Sequence, residues 1–171
     1  YKNNSKIISL KKSEKVLDFL KKSEKKLFLV TSNYKGEFYG PGWNYDDFLE
    51  DFQPEMTAFP VEGNTVKVYK KENGALEVDP PFFSNNFKVD PFFKSEDYTI
   101  KRDFYTNQFS YPATISKTAY LQEIPFKTSP EVTVALLKEK TSKDIKLLNI
   151  ELPKDFKIIY SEKTDDVLRK M

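Results

Sequence analysis

The chain contains no cysteine and no histidine in its 171 residues. The first absence excludes disulfides and thiolate metal sites, and it says little about compartment. The second removes the commonest general base and the commonest zinc ligand. Catalysis by this chain would therefore rest on Ser with Lys or on paired carboxylates. Arginine is nearly absent too: of 28 cationic residues, only Arg102 and Arg169 are not lysine. Readers of phosphate and bases favour arginine forks gathered on one element, so nucleic acid is not an expected partner. No run of roughly 18 or more apolar residues occurs, so no membrane span is expected. Glycine is scarce, at five residues, and no low-complexity tract argues for disorder. The polar opening Tyr1-Lys2-Asn3-Asn4 carries no secretory signal and reads as the start of an excised piece or a processed product.

Aromatic residues and segregated charge are what the chain does have. Fifteen Phe, ten Tyr and one Trp provide material for one good core, or two small ones in contact. The net charge of +2 conceals two opposed blocks. Residues 1–35 hold ten Lys against three acids, and residues 36–66 hold seven acids and no base.

Periodicity organises the rest. Leu10, Val16, Leu17 and Leu20 recur at helical spacing, with Ser9 or Ser13 as a natural N-cap. Leu27 to Thr31 reads as a buried strand. Thr57 to Phe59 and Thr65 to Tyr69 read as strands around a turn at Glu62-Gly63-Asn64. From Lys70 to Ala119 turn signals punctuate short strands, such as Tyr98 to Lys101 and Gln108 to Tyr111. The pairs Phe82-Phe83 and Phe92-Phe93 there are expected in a core or a subdomain contact. Tyr120 to Ile124 reads as a strand, and Ser129-Pro130-Glu131 as the start of a helix with Val132, Leu136 and Leu137 on its buried stripe. Strands over Lys146 to Leu152 and Phe156 to Ser161 follow, then a helix from Thr164 that runs to Met171. The expected fold is α+β: a mixed sheet with a few flanking helices and a small inserted all-β subdomain. The discontinuous α+β part takes 1–66 and 119–171, and the β subdomain takes 67–118.

The stretch Gly40-Pro41-Gly42-Trp43-Asn44-Tyr45-Asp46-Asp47 is the most informative. Gly and Pro force a sharp reversal, the only Trp offers a flat apolar wall, and two carboxylates follow it. These residues suit a cation site, and they equally suit a turn with a Trp anchor and a solvated acidic loop. Glu50 and Asp51 extend the acidic run, but no calcium loop and no glycine-rich phosphate loop is present. Two Ser-x-x-Lys pairs occur, Ser9 with Lys12 and Ser23 with Lys26. Among this many lysines such matches arise by chance, and an exposed lysine keeps its proton. Ser84-Asn85-Asn86 fits Ser-x-Asn but reads as turn chemistry. Lys-Thr-Gly is absent: Lys117-Thr118-Ala119, Lys127-Thr128-Ser129 and Lys140-Thr141-Ser142 lack the glycine. No catalytic residue, cofactor or metal ligand is therefore assigned to this chain.

The order of segments resembles the class C low-molecular-mass penicillin-binding proteins, serine D-Ala-D-Ala carboxypeptidases and endopeptidases of bacterial peptidoglycan. That family carries a stretch close to Gly-Pro-Gly-Trp-x-Trp-Asp-Asp, matched by Gly40 to Asp47, and a later Pro with an Ala-Leu-x-x-Asn-x-Asn signature near Thr57 to Val66. The resemblance spans nearly the whole chain, specifically only at Gly40 to Asp47. It implies an insertion between the catalytic Ser-x-x-Lys and Ser-x-Asn of an extracytoplasmic (periplasmic or cell-surface) enzyme, inert by itself. Its partners would be the transpeptidase-like catalytic domain of the same polypeptide and the peptidoglycan stem peptide. Carried over by position, Trp43 and Asp46 would line the cleft edge and receive the peptide amine, with Asp47 beside them. Where the family has a run of Tyr after the acidic pair, this chain has Glu50-Asp51-Phe52. A stand-alone cell-surface binding or scaffold domain is a second reading, and a self-contained serine hydrolase using Ser9 and Lys12 is a third.

Overall fold

A computed structural model describes residues 15–115 and 119–159. The fold is α+β, and the chain divides into two compact units. Of the described residues, one takes 15–35, 61–63 and 130–159, and the other takes 36–60, 64–115 and 119–129.

In the first unit, residues 15–22 form helix α1 and Leu27–Leu29 forms strand β1. Helix α2, Pro130–Thr141, leads into strand β8, Ile145–Leu147, which pairs in parallel with β1. Proline opens α2, where its missing N–H costs nothing, as the sequence leads one to expect. Val134, Leu136 and Leu137 are its buried apolar residues, and α2 packs on β8 beside buried Ile145. Val132 is only half-buried. At the helix end Thr141 donates its hydroxyl to the Leu137 carbonyl at 2.6 Å, and Lys138 pairs with Asp144. β1 is shorter and wetter than a buried strand: Phe28 is 47% exposed. The expected strand after Lys146 stops at Leu147, and 156–159 form none; Pro153, which cannot donate to a ladder, lies between. The helix expected from Thr164 and the residues Ser9, Lys12 and Ser13 lie outside the described residues.

The second unit holds two sheets. Strands β2 (Thr65–Lys70), β3 (Leu76–Asp79) and β7 (Ala119–Pro125) form an antiparallel sheet in the order β3-β2-β7. Strands β4 (Phe87–Asp90), β5 (Lys101–Arg102) and β6 (Phe109–Pro112) form a mixed sheet in the order β4-β6-β5. β4 runs parallel to β6, and β5 runs antiparallel to it. Val66, Val68, Ile100, Ile124 and three phenylalanines fill the core, with Phe83 lying 4.9 Å from Phe126 and 6.0 Å from Phe109 between ring centroids. Each expected Phe pair therefore splits: Phe83 is core and Phe82 is 39% exposed, while Phe93 is half-buried and Phe92 is 85% exposed. Adjacent residues on a tight turn point apart, so Phe83 alone of the four reaches the core and Phe93 is only partly covered.

Contact draws the division of the two units at 35/36 and 129/130, apart from the return at 61–63. The reason is the ladder: β2 hydrogen-bonds along its length to β7, from Thr65 opposite Pro125 to Lys70 opposite Ala119. Residues 57–59 form no strand and run into Pro60, which lacks a ladder donor. The turn at Glu62-Gly63-Asn64 does form, with all three residues at positive φ.

Candidate functional site

Gly40 to Glu55 forms one excursion of the second unit, closed at its base by the Met56 N–H, which donates to the Phe38 carbonyl at 2.7 Å. The excursion starts with a reversal over Gly40-Pro41-Gly42-Trp43. Trp43 N donates to Gly40 O, and Gly42 sits at φ +82°. Proline second and a positive-φ glycine third is the arrangement of a type II turn. The turn lays the indole on the Gly40 backbone, where a Cβ would come within 3.3 Å of Trp43 Cε2 and Nε1. Tyr39 flanks the ring at 5.9 Å, leaving Trp43 half-buried.

Asn44 is extended, and Tyr45–Asp47 form a short 3₁₀ turn. Asp46 is exposed and Asp47 is half-buried. Trp43 and Asp46 are three residues apart, so their backbones stand within about 11 Å, a span that an amine-bearing side chain can bridge. The structure thus brings the two onto one segment. Gln53 steadies the turn by donating Nε2 to the Asn44 carbonyl at 2.8 Å, and Leu49 is buried beneath it.

The acidic residues are not equivalent. Glu55, 4% exposed, accepts from Lys127 Nζ (2.8 Å), from the Thr128 N–H and hydroxyl (2.7 Å each) and from the Tyr39 hydroxyl (3.2 Å). Burial alone pushes its carboxyl up, but the bonds from Lys127 and Thr128 outweigh that and hold it below its ordinary 4.5. Glu50 accepts the Tyr98 hydroxyl at 2.7 Å. Asp46 has no such partner among the described residues and remains available to a ligand.

Sequence reasoning passed over Arg102, which is 4% exposed beneath this excursion, with its guanidinium 5.2 Å from the Phe48 ring. The signal was its rarity: one of only two arginines among so many lysines marks a place where a planar fork is needed. Ser23 Oγ accepts the Lys25 N–H at 3.3 Å, in a loop beside a cavity of about 430 Å³ lined by Lys25, Lys26, Lys143 and Lys146. Ser84 is exposed within the 3₁₀ helix Pro81–Asn86. Among the described residues no group of acidic side chains is placed to hold a metal, and no helix is long and apolar enough to cross a membrane. Comparison with protein-family models and with curated proteins finds no match.

Proposed function

We propose that this chain is a non-catalytic insertion module of an extracytoplasmic serine D-Ala-D-Ala carboxypeptidase, shaping the active-site cleft and access of peptidoglycan stem peptides. One observation carries the reading: the turn at Gly40 to Trp43 holds a half-buried indole three residues from the exposed carboxylate of Asp46, which has no ion-pair partner among the described residues. An aromatic face beside a free carboxylate attracts an ammonium group by charge pairing and by cation–π attraction. Asp47 lies next in the same acidic turn and adds to its field. The buried Glu55 cannot serve, because four donors already occupy it.

Trp43 is the only tryptophan, so its fluorescence reports on the site alone. A stem pentapeptide ending in D-Ala-D-Ala with a free side-chain amine should shift that emission saturably. Acetylating the amine, or replacing Asp46 by Asn, should abolish the shift. A response that survives both changes would refute amine recognition. The parent reading has its own test: the reading frame should carry Ser-x-x-Lys upstream, then Ser-x-Asn and Lys-Thr-Gly downstream. A fluorescent penicillin should leave the isolated chain unlabelled, and covalent labelling would show it to be an enzyme.

A further inference from the structure

Arg102 devotes its guanidinium to backbone carbonyls. Nε donates to Pro125 O at 2.8 Å, and Nη1 reaches the carbonyls of Asp103 (2.6 Å), Phe104 (3.3 Å) and Thr106 (3.2 Å). Asp103 ties the same loop through Oδ1, which accepts the Tyr105 N–H, the Thr106 N–H and the Thr106 hydroxyl at 2.8–2.9 Å. Loop 103–106 is thus braced by a buried cation and by a side-chain turn.

What the loop presents is aromatic. Phe104 and Tyr105 meet edge to face at 5.0 Å, and Tyr45 lies 4.4 Å from Phe104 with its plane tilted by 33°. The outer rings are largely in water: Tyr45 is 65% exposed and Tyr105 is 78% exposed. One exposed ring needs no explanation, but two exposed rings held against a half-buried third, two of the three on a doubly braced loop, do. Burial gains the fold little from rings this exposed, whereas fixing them in advance lowers the entropy cost of binding a ligand.

The surroundings select the ligand. Asp46 and Asp47 follow Tyr45 in a stretch without lysine or arginine between 36 and 66, and Asp103 precedes Phe104, so phosphate polymers are disfavoured at these rings. Lys127, 6.0 Å from the Phe104 ring, is already paired with Glu55. A sugar ring suits what remains: its C–H face meets the negative face of an aromatic ring, and its hydroxyls donate to carboxylates. We propose that Tyr45, Phe104 and Tyr105 form a platform for the uncharged pyranose rings of a glycan chain. The platform stands on its own geometry, and only naming that glycan as the peptidoglycan strand rests on the function proposed above.

Chitotetraose added to the full chain, with aromatic carbons followed by NMR, should shift Tyr45, Phe104 and Tyr105 saturably. Tyr105→Ala and Tyr45→Ala should each weaken binding roughly tenfold, and Tyr105→Phe should retain it. Both tyrosines are exposed, so unchanged melting transitions should accompany these losses. The proposal fails if no resonance moves up to about 10 mM sugar, or if all variants bind alike. It also fails if oligothymidylate takes the rings in place of sugar, or if they prove to be a self-association face whose dimer Tyr105→Ala dissolves. Chitotetraose carries no amine and the stem peptide no sugar, so this experiment and the amine test fail separately.

Discussion

Glu55 and Lys127 are 72 residues apart in the chain and 2.8 Å apart in space. The pair pins the acidic excursion to the segment that follows β7, and Thr128 completes the attachment with two bonds to the other carboxylate oxygen. Burying a carboxylate is tolerable only because every bond it can accept is nearly filled. The network therefore decides which acids of this segment are structural and which stay open to ligand.

Removing the carboxylate should loosen the whole excursion. Glu55→Ala leaves the Lys127 ammonium and the Thr128 N–H without their acceptor, at a cost of about 2–3 kcal/mol. Lys127 is 33% exposed, so water recovers part of the loss. Glu55→Gln keeps one acceptor and should cost about half as much. Urea unfolding followed by Trp43 fluorescence measures both, and a loss below about 1 kcal/mol for the alanine variant would contradict this role.

Acid should act through the same group. Its folded carboxyl is held below the unfolded 4.5, so the stabilisation it supplies is present above pH 4.5. That contribution disappears as pH falls through the lower, folded value. The wild-type Trp43-detected stability should thus drop below pH 4.5 more steeply than that of Glu55→Gln. Parallel curves for the two proteins would assign the acid sensitivity elsewhere.

The local signals were readable and the long-range ones were not. Pro130 announced the start of α2, and the hydrophobic alternation of Thr65 to Tyr69 announced β2, because both depend on a few neighbouring residues. The turn at Gly40 to Trp43 was legible for the same reason, since proline and a positive-φ glycine restrict the backbone directly. The roles of Glu55 and Arg102 were hidden, because Lys127 lies 72 residues from the one and Pro125 lies 23 residues from the other. Alternation also misled at 57–59, where Pro60 denies the ladder a donor, and it could not show that β2 belongs with β7. A sheet partner is chosen by the fold, not by the strand.

Tyr98 supplies an independent check on the acidic segment. Its hydrogen bond to Glu50, then burial, then the charges of Glu50, Asp97 and Asp47 push the phenol from 10.0 up to about 12. A raised value means that the folded chain holds this proton more tightly, so the stabilisation is full below pH 10 and is lost as pH rises through about 12. In a titration of ¹³Cζ-labelled tyrosine, the Tyr98 resonance should move after those of free phenols. Glu50→Gln should bring it back toward 10.0. A wild-type Tyr98 titrating at that ordinary value would mean that the Glu50 contact does not persist in solution.

The two glycines of the turn should fail in different ways. At Gly42 an added Cβ meets nothing within 4 Å, but φ of +82° is strained for any L side chain. Gly42→Ala should therefore cost about 1–2 kcal/mol and leave the Trp43 emission of the folded protein unchanged. Asn, which tolerates this conformation better, should recover part of that loss. At Gly40 the constraint is contact: the new methyl would press within 3.3 Å of the indole, so the ring itself must shift. Gly40→Ala should change the emission of the folded state and weaken the response to an amine-bearing stem peptide. Gly42→Ala should weaken that response only to the extent that it unfolds the turn. Should both variants move emission and peptide response together, the indole would owe its position to the turn's conformation and not to the bare Gly40 surface beneath it.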